Sequence, residues 1–175
     1  MKATEIERKF LIRDNSWRDS AGNSHVLQQA YLSRDECSIR VRLIDGHSAC
    51  LTIKFRIAEL SKEEFEYEIP VDEARDLLLH ATGHVIEKTR YQVLHHGRRW
   101  TIDVFGGLYE GLTLAEIEMA SEDDRPDLPS WLGQEVTGNK RYSNRAMAAA
   151  LDLPFRAQGV SAKARRDLSD SPLAL

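Results

Sequence analysis

The segment SIRVRLIDGHSACLTIKFR, residues 38–56, decides the fold. Polar and apolar side chains alternate through both halves of this segment, which is typical of two β-strands. Gly46 lies between the halves, where a hairpin turn is expected. If Arg40 and Lys54 face the same side, paired residues have even sums and the loop is odd, most simply Asp45-Gly46-His47. The segment therefore predicts a hairpin with basic side chains on one face.

The same alternation recurs along most of the chain and predicts eight strands in all. They are Glu5–Ile12, Val26–Leu32, Ser38–Leu43, Cys50–Arg56, Glu63–Ile69, Lys88–His95, Trp100–Phe105 and Thr113–Met119. A second hairpin turn is expected at Gly97. Helices are predicted from an N-cap at Asp72 through Leu79, with Gly83 as stop, in a short turn over residues 130–132, and from a cap at Ser143 or Asn144 to Leu151.

Charged residues of one sign recur two positions apart, so each pair shares one face of its strand. The pairs are Glu5/Glu7, Arg40/Arg42, Lys54/Arg56, Glu64/Glu66, Lys88/Arg90 and Glu116/Glu118. One interpretation is an open sheet with its charges in water. A second interpretation is favoured by two observations. Acidic and basic pairs lie on different strands, and the helices need an apolar sheet face to pack on. In that interpretation the fold is α+β, mainly β: a closed eight-stranded antiparallel barrel with its charges inside and its helices packed outside.

Composition predicts one soluble domain. The chain has 175 residues and a net charge of -4, so no global basic field attracts nucleic acid or an anionic membrane. The N-terminal residues lack the apolar core of a secretory signal, which predicts a cytoplasmic protein. We expect the folded domain to span residues 1–155 and a polar tail to span residues 156–175. Cys37 and Cys50 have opposite parity, so no disulfide is expected, and the sequence leaves a homodimer open.

A charged lumen of this kind needs a ligand, because unpaired charges of one sign are costly to bury. Basic strands suit a polyanion, whereas nearby carboxylates would repel it unless a divalent cation lies between them. Carboxylates favour the hard ions Mg²⁺ or Mn²⁺. A metal ion together with cations that stabilise a leaving phosphate is the arrangement of phosphoryl transfer, and no Walker motif is present.

Nine ordered segments resemble the CYTH superfamily, the triphosphate tunnel metalloenzymes. The first, Glu5-Ile-Glu7-Arg-Lys9-Phe, is similar to the ExExK signature of that family. The others are Tyr31-Leu32, Arg40-Val-Arg42, Thr52-Ile-Lys54, Glu64-Phe-Glu66-Tyr-Glu68-Ile-Pro70, Lys88-Thr-Arg90-Tyr91, Asp103-Val-Phe105, Ala115-Glu116-Ile-Glu118 and residues 135–144. The resemblance covers the chain to about Leu153.

The resemblance implies a tunnel that holds a linear triphosphate, and it implies roles for individual residues. Implied metal ligands are Glu5, Glu7, Glu116 and Glu118, with Glu64, Glu66 and Asp103 as further candidates. Implied phosphate-binding residues are Lys9, Arg40, Arg42, Lys54, Lys88, Arg90 and Lys140. The general base is implied to be Lys54 paired with Tyr31 or, in another account, Lys88.

The activity that the resemblance implies is metal-dependent hydrolysis of inorganic triphosphate to pyrophosphate and phosphate. A nucleoside or thiamine triphosphatase is the nearest alternative, followed by an adenylyl cyclase of the same superfamily. A noncatalytic module that binds polyphosphate or nucleotides is an alternative of a different class. Both acidic strand pairs count against it, since pure anion binding would be better without them.

Overall fold

Alternating segments of the chain form one antiparallel sheet in the computed structural model, which describes residues 6–33, 37–56, 62–121 and 123–150. The strands are β1 Ile6–Ile12, β2 Ala21–Tyr31, β3 Ser38–Ile44, β4 Ser48–Arg56, β5 Lys62–Glu68, β6 Ile86–His95, β7 Arg98–Phe105, β8 Thr113–Met119 and β9 Leu132–Glu135. Two α-helices, α1 Val71–Leu79 and α2 Asn144–Ala149, and three 3-10 helices, Ser16–Ser20, Gly107–Tyr109 and Lys140–Tyr142, complete the described elements. The mainly β, antiparallel prediction is confirmed.

The order of strands across the sheet is β5-β4-β3-β2-β6-β7-β8-β1-β9. All eight predicted strands are present, and β9 is an additional one. Since β1 pairs with β8 along one edge and with β9 along the other, it has no edge left for β5. Within the described ranges the hydrogen-bonded order thus has two ends, and the sheet curls without the ring of hydrogen bonds that a fully closed barrel would have.

The extra strand β9 was not predicted, because four residues are too short to display a reliable alternation; the predicted turn over residues 130–132 includes only its first residue. Its neighbour β1 holds it in place. The Arg8 guanidinium makes two hydrogen bonds to Glu135, at 2.9 and 2.8 Å, and the Val136 N–H donates to the Lys9 carbonyl at 2.8 Å. Strand formation here is therefore a consequence of tertiary pairing.

Both hairpin turns are confirmed. The β3–β4 loop is Asp45-Gly46-His47, and the pairing of Arg42 with Cys50 has the expected even sum. Asp45 and Gly46 have positive φ values of 51° and 74°, a conformation that Gly adopts without steric cost. A two-residue loop, His96-Gly97, joins β6 to β7 with φ values of 45° and 74°, as in a type I′ turn.

The helix boundaries differ slightly from prediction. Helix α1 begins at Val71 after an N-cap at Pro70, so the expected cap Asp72 lies in the first turn, where its charge suits the helix dipole. Helix α2 is capped by Ser143, whose hydroxyl accepts from the Ala146 N–H at 3.1 Å. Its predicted end, Leu151, lies outside the described residues.

One face of the sheet is apolar and covered. Helix α1 packs through Ala74 on Val41 and Leu43. A second cluster on this face includes the fully buried residues Trp17 and Trp100. Trp131 belongs to the same cluster, so all three tryptophans are packing residues. Helices on the outer face leave the opposite face of the sheet for the site.

Helix α2 lies at one end of that opposite face. Its buried residues Met147 and Ala148 join a cluster with Ile86, Phe105 and Leu114 from the sheet. These sheet residues continue the same strand faces as the charged residues described below, so α2 covers the apolar end of a face that is charged elsewhere. Within the described ranges, no helix combines the length and apolarity that crossing a membrane requires.

Candidate active site

The strand register places the predicted charged residues on one face of the sheet. In an antiparallel pair, residues directly opposite each other point to the same side. Opposed pairs connect the whole set: Glu7↔Glu118, Lys9↔Glu116, Arg90↔Asp103, Arg40↔Thr52, Thr52↔Glu66, Lys54↔Glu64, Gln29↔Arg42 and, through Leu27, Lys88. We call this surface the charged face. The alternation argument was therefore right about which side chains lie together.

Burial shows that the sheet curls around the charged face. Among the residues that the structure describes, the buried polar or charged ones are Gln29, Thr52, Lys88 and Asp103, and all four lie on this face. A flat sheet would leave most of these side chains in water, although Lys88 also contacts helix α2 through Asn144. Contacts also reach across strands that are not neighbours: Arg90 on β6 lies 3.8 Å from the Glu116 carboxylate on β8.

Asp103 is the centre of a buried ionic cluster. Its Oδ2 accepts from Lys88 Nζ at 2.6 Å, and its two oxygens accept from Arg90 Nε and Nη2 at 2.7 and 2.8 Å. Lys88 Nζ also donates to Asn144 Oδ1, at 3.1 Å, which links the cluster to the first residue of α2. Lys88 and Asp103 side chains are 0 and 1 % exposed.

The protonation equilibria of this cluster follow from burial and charge. Burial, opposed by the Asp103 carboxylate and aided by Arg90, lowers the pKa of Lys88 to about 8. Burial disfavours ionisation of Asp103, but the charges and hydrogen bonds of Lys88 and Arg90 outweigh it and hold its pKa below the ordinary value. Asp103 is thus ionised at neutral pH, with both oxygens occupied by cations.

A second ionic cluster on the charged face consists of carboxylates and a lysine from β1 and β8. Lys9 Nζ lies 2.9 Å from Glu116 Oε1 and 3.6 Å from Glu7 Oε1. Burial opposes the charge of Lys9, yet Glu116 and Glu7 together raise its pKa. Glu7 and Glu118 oppose each other directly across the strands, an arrangement of like charges that is unfavourable without a cation nearby.

A third ionic cluster on the charged face consists of side chains from the β3–β4 hairpin and from β5. Arg40 Nη2 donates to Thr52 Oγ1 at 3.0 Å, and Thr52 donates to Glu66 Oε2 at 3.0 Å. Arg40 Nη2 lies 3.7 Å from Glu66 Oε2, and Lys54 Nζ lies 2.6 Å from Glu64 Oε2. The side chain of Lys54 keeps 25 % of its surface exposed, so part of this side chain remains accessible from solvent.

Arg42 differs from the other cations on the charged face. Within the described part of the chain its guanidinium hydrogen bonds go to the neutral amide of Gln29, from Nε at 3.2 Å and from Nη2 at 3.0 Å. Burial, followed by the positive charges of Arg40 and Arg90, lowers the pKa of Arg42 to about 10. Crowded, desolvated cations of this kind make the site attractive to a multiply charged anion.

The donor chemistry of the β1–β8 carboxylates fits a divalent ion of the hard, oxygen-binding type. Glu7, Glu116 and Glu118 lie on the same face of neighbouring strands, and Lys9, which contacts Glu7 and Glu116, can offset only part of the charge of three carboxylates. No group of three or more Asp, Glu, His or Cys residues is preassembled for a metal among the described residues. Glu5, the remaining member of the predicted set, lies outside them.

Two predicted site residues lie apart from the charged centre. Lys140 is exposed on the 3-10 helix Lys140–Tyr142, outside the sheet. Tyr31 shares the charged-face parity through its pairing with Arg40, but it packs against the apolar cluster beside α2. The predicted tail, residues 156–175, also lies outside the described ranges.

Three polar residues of the face were not predicted as part of the site: Gln29, Thr52 and Asn144. Gln29 and Thr52 have the strand parity of the charged residues, so parity alone was a usable signal for both. Asn144 was considered only as a helix cap, and its contact with Lys88 depends on how α2 packs against β6. Sequence patterns carry no information about such packing.

The chain matches the family model described as CYTH domain over residues 3–147. It is 39 % identical to an inorganic triphosphatase of Acetivibrio thermocellus over 142 residues, which are 80 % of this chain and 90 % of the relative. It is 38 % identical to an inorganic triphosphatase of Nitrosomonas europaea over 152 residues, or 85 and 99 % of the two chains.

A crystal structure of an inorganic triphosphatase is similar to this fold, with a TM-score of 0.64 and 35 % identity over 85 % of this chain and 97 % of the other. The family model spans most of the chain, and both relatives match along nearly their full length. The residues that carry the resemblance are also those that the register assembles on the charged face. This chain belongs to the CYTH domain family.

Proposed function

We propose that this protein hydrolyses inorganic triphosphate to pyrophosphate and phosphate on the charged face, with a divalent metal ion. The observation that carries the proposal is the state of Arg42, a half-buried cation whose guanidinium is hydrogen-bonded to the neutral amide of Gln29 and which lies near two further arginines. Binding of a polyphosphate would stabilise such a cation electrostatically. Two relatives of about the same length, both named inorganic triphosphatase, support the choice of substrate.

Cations from several strands would bind the phosphate chain together. Arg40 and Arg42 from β3, Lys54 from β4, Lys88 and Arg90 from β6 and Lys9 from β1 all share the charged face. Arginine can form paired hydrogen bonds to phosphoryl oxygens, which fixes their orientation. We also assign Lys140 to phosphate binding, an assignment that rests on the family resemblance alone.

We assign metal binding to Glu7, Glu116 and Glu118, together with Glu5. When bound there, Mg²⁺ or Mn²⁺ would supply charge neutralisation and polarisation of the phosphoryl group. Glu64 and Glu66 are further candidates, although in this structure they are engaged with Lys54, Arg40 and Thr52.

Asp103 has a different proposed role. Both of its oxygens accept hydrogen bonds from Lys88 and Arg90, and the positive charges of these two residues disfavour a metal ion beside it. We therefore assign it the role of an internal counter-ion that holds these two cations in place.

The proton acceptor is assigned to Lys54. The family resemblance pairs Lys54 with Tyr31, but Tyr31 packs against the apolar cluster beside α2, so the assignment rests on Lys54. Accessibility supports this choice over Lys88, because Lys88 is fully buried and its ammonium is already bound by Asp103 and Asn144. Lys54 keeps contact with solvent, where the attacking water must enter. Lys88, whose pKa burial lowers to about 8, is the alternative.

Phosphate release from triphosphate, ATP and thiamine triphosphate, measured side by side, tests the proposed function. Each substrate is incubated with Mg²⁺, with Mn²⁺ and with a chelator. We expect the highest kcat/KM with triphosphate and none above background with the chelator. A higher kcat/KM with ATP or thiamine triphosphate would indicate a nucleoside or thiamine triphosphatase instead. Formation of cyclic AMP from ATP would indicate an adenylyl cyclase. Binding of triphosphate without turnover would indicate a noncatalytic module. We also expect a cytoplasmic protein that binds neither nucleic acid nor membranes.

A further inference from the structure

Gln29 is a fully buried polar side chain at the centre of the charged face. It lies on β2, opposite Arg42 on β3 and opposite Ile86 on β6. Ile86 belongs to the apolar cluster beside α2, so Gln29 marks the boundary between the apolar end of the face and its charged part. A polar group at such a depth is expected to have partners for all of its hydrogen-bonding atoms.

The hydrogen bonds of Gln29 fix the orientation of its amide. Since arginine can only donate, the two bonds from Arg42 require the Gln29 oxygen, Oε1, on that side. The Nε2 group then points away from Arg42, and it is buried without an acceptor among the described residues. Arg40 Nε, on the same face of the neighbouring strand, is a second buried donor without an acceptor in the described chain.

The neutrality of Gln29 has an electrostatic consequence. Arg90 and Lys54 are each paired with a carboxylate, Asp103 and Glu64, which offsets part of their charge. Gln29 also anchors Arg42, through two hydrogen bonds of 3.2 and 3.0 Å, but it offsets no charge. Arg42 thus keeps its positive charge at a half-buried position, where its attraction for an anion is stronger than in open water.

We propose that Gln29 is a positioning residue for Arg42 and donates its own Nε2–H group to a phosphoryl oxygen of the substrate. The inference rests on the proposed function and deepens it, because it adds a neutral donor to the predicted set of cations. Two unpartnered donors, Gln29 Nε2 and Arg40 Nε, would both find acceptors in a phosphate chain bound along this face.

Gln29→Glu separates this role from a merely structural one. A carboxylate would hold the Arg42 guanidinium at least as well as the amide does, but it would neutralise Arg42 and repel the substrate. We expect KM for triphosphate to rise at least ~10-fold, with a smaller change in kcat and with Tm equal to or above that of the wild type. Gln28→Glu is the matched control: Gln28 has the opposite parity and bonds Glu87 at 3.2 Å, so KM should stay near the wild-type value.

Calorimetric titration of triphosphate into the metal-free protein gives a readout that does not depend on turnover. The wild type should bind, and Gln29→Glu should bind at least ~10-fold more weakly. A Gln29→Glu enzyme with wild-type KM and affinity would overturn the inference while leaving the proposed function intact. A wild type that neither binds nor hydrolyses triphosphate would overturn both.

If Gln29→Glu does not fold, Gln29→Met decides the matter. Methionine has a similar shape and removes both the anchor and the donor without adding charge. Loss of hydrogen bonds to a charged group should raise KM about 10-fold. An unchanged KM in that variant would overturn the inference.

Discussion

The Lys88 ammonium and the Asp103 carboxylate lie 2.6 Å apart and are shielded from solvent. Both belong to the charged face, and Arg90 completes the cluster through two hydrogen bonds to Asp103. A buried ion pair contributes modestly to stability while it is intact, but removal of one partner leaves an uncompensated charge. Asp103 is therefore where the structure is most sensitive to a change of charge.

Asp103→Asn should lower the free energy of unfolding at pH 7 by about 3–5 kcal/mol, because Lys88 and Arg90 lose their counter-ion. Chemical denaturation of both proteins measures the difference. The control is Asp127→Asn, since Asp127 lies in a loop with an exposed side chain that contacts His96 at 3.2 Å, and its effect should stay within about 0.5 kcal/mol. Equal stability of Asp103→Asn and the wild type would contradict the role of Asp103 as counter-ion.

The pH dependence of that difference has a definite sign. The folded-state pKa of Asp103 is depressed, so its stabilising contribution is present above the unfolded-state value of about 3.9 and is lost as pH falls below it. The gap in stability between wild type and Asp103→Asn should therefore narrow as the pH falls from 5 to about 3. A gap that widens over this interval would mean that Asp103 is not held in its ionised form.

Lys54→Arg should bind triphosphate nearly normally but turn over at least ~100-fold more slowly, because arginine keeps the charge and cannot give up its proton near neutral pH. Lys88→Arg should reduce kcat less. The kinetics of both variants across pH measure kcat and KM separately. An inactive Lys88→Arg enzyme beside a nearly normal Lys54→Arg enzyme would transfer the role of base to Lys88.

Glu118→Gln should lose most activity at low metal concentration and regain part of it as the concentration of Mg²⁺ or Mn²⁺ rises. The change removes one charge at nearly constant volume from an exposed position, so the fold should survive. Activity as a function of metal concentration is the measurement, with Glu110→Gln as the control because Glu110 lies exposed in a loop after the 3-10 helix Gly107–Tyr109. An unimpaired Glu118→Gln enzyme would contradict the proposed metal site.

Gly83→Ala should destabilise the fold by about 1–3 kcal/mol through overpacking. A Cβ at residue 83 would lie 2.1 Å from the Ala148 carbonyl oxygen, which also accepts from the His84 N–H at 2.7 Å. Thermal unfolding measures the loss. Gly106→Ala is the control, since a Cβ there meets nothing within 4 Å. If both variants have the same Tm, the close approach of α2 to residue 83 is not maintained in solution.

The sequence predicted which side of each strand carries the site, because alternation is a local property of extended backbone. The even-sum pairing of Arg42 with Cys50 and the Asp45-Gly46-His47 turn followed from parity alone, and the structure confirms both. Gly83 was read as a helix stop, whereas the structure uses it for close contact with α2. That role depends on the packing of distant segments, which no local pattern records.

Strand alternation does not predict which charged residues of the face form ion pairs with each other. Parity placed Asp103 among carboxylates that could bind metal, but whether a carboxylate binds a metal or a neighbouring lysine depends on burial and on curvature of the sheet. Strand β9 was missed for a related reason, since its four residues become a strand by pairing with β1. Gln29 is uncharged, so a pattern of charged residues does not include it.

The most direct test of the central claim is a ³¹P NMR time course of inorganic triphosphate with the wild-type protein and Mg²⁺ or Mn²⁺. The proposed reaction cleaves one phosphoanhydride bond per turnover, so the triphosphate resonances should fall while pyrophosphate and phosphate appear in equal amounts. A chelator should stop the conversion. Triphosphate that persists unchanged with either metal ion at an enzyme concentration that saturates the assay would contradict the proposed function.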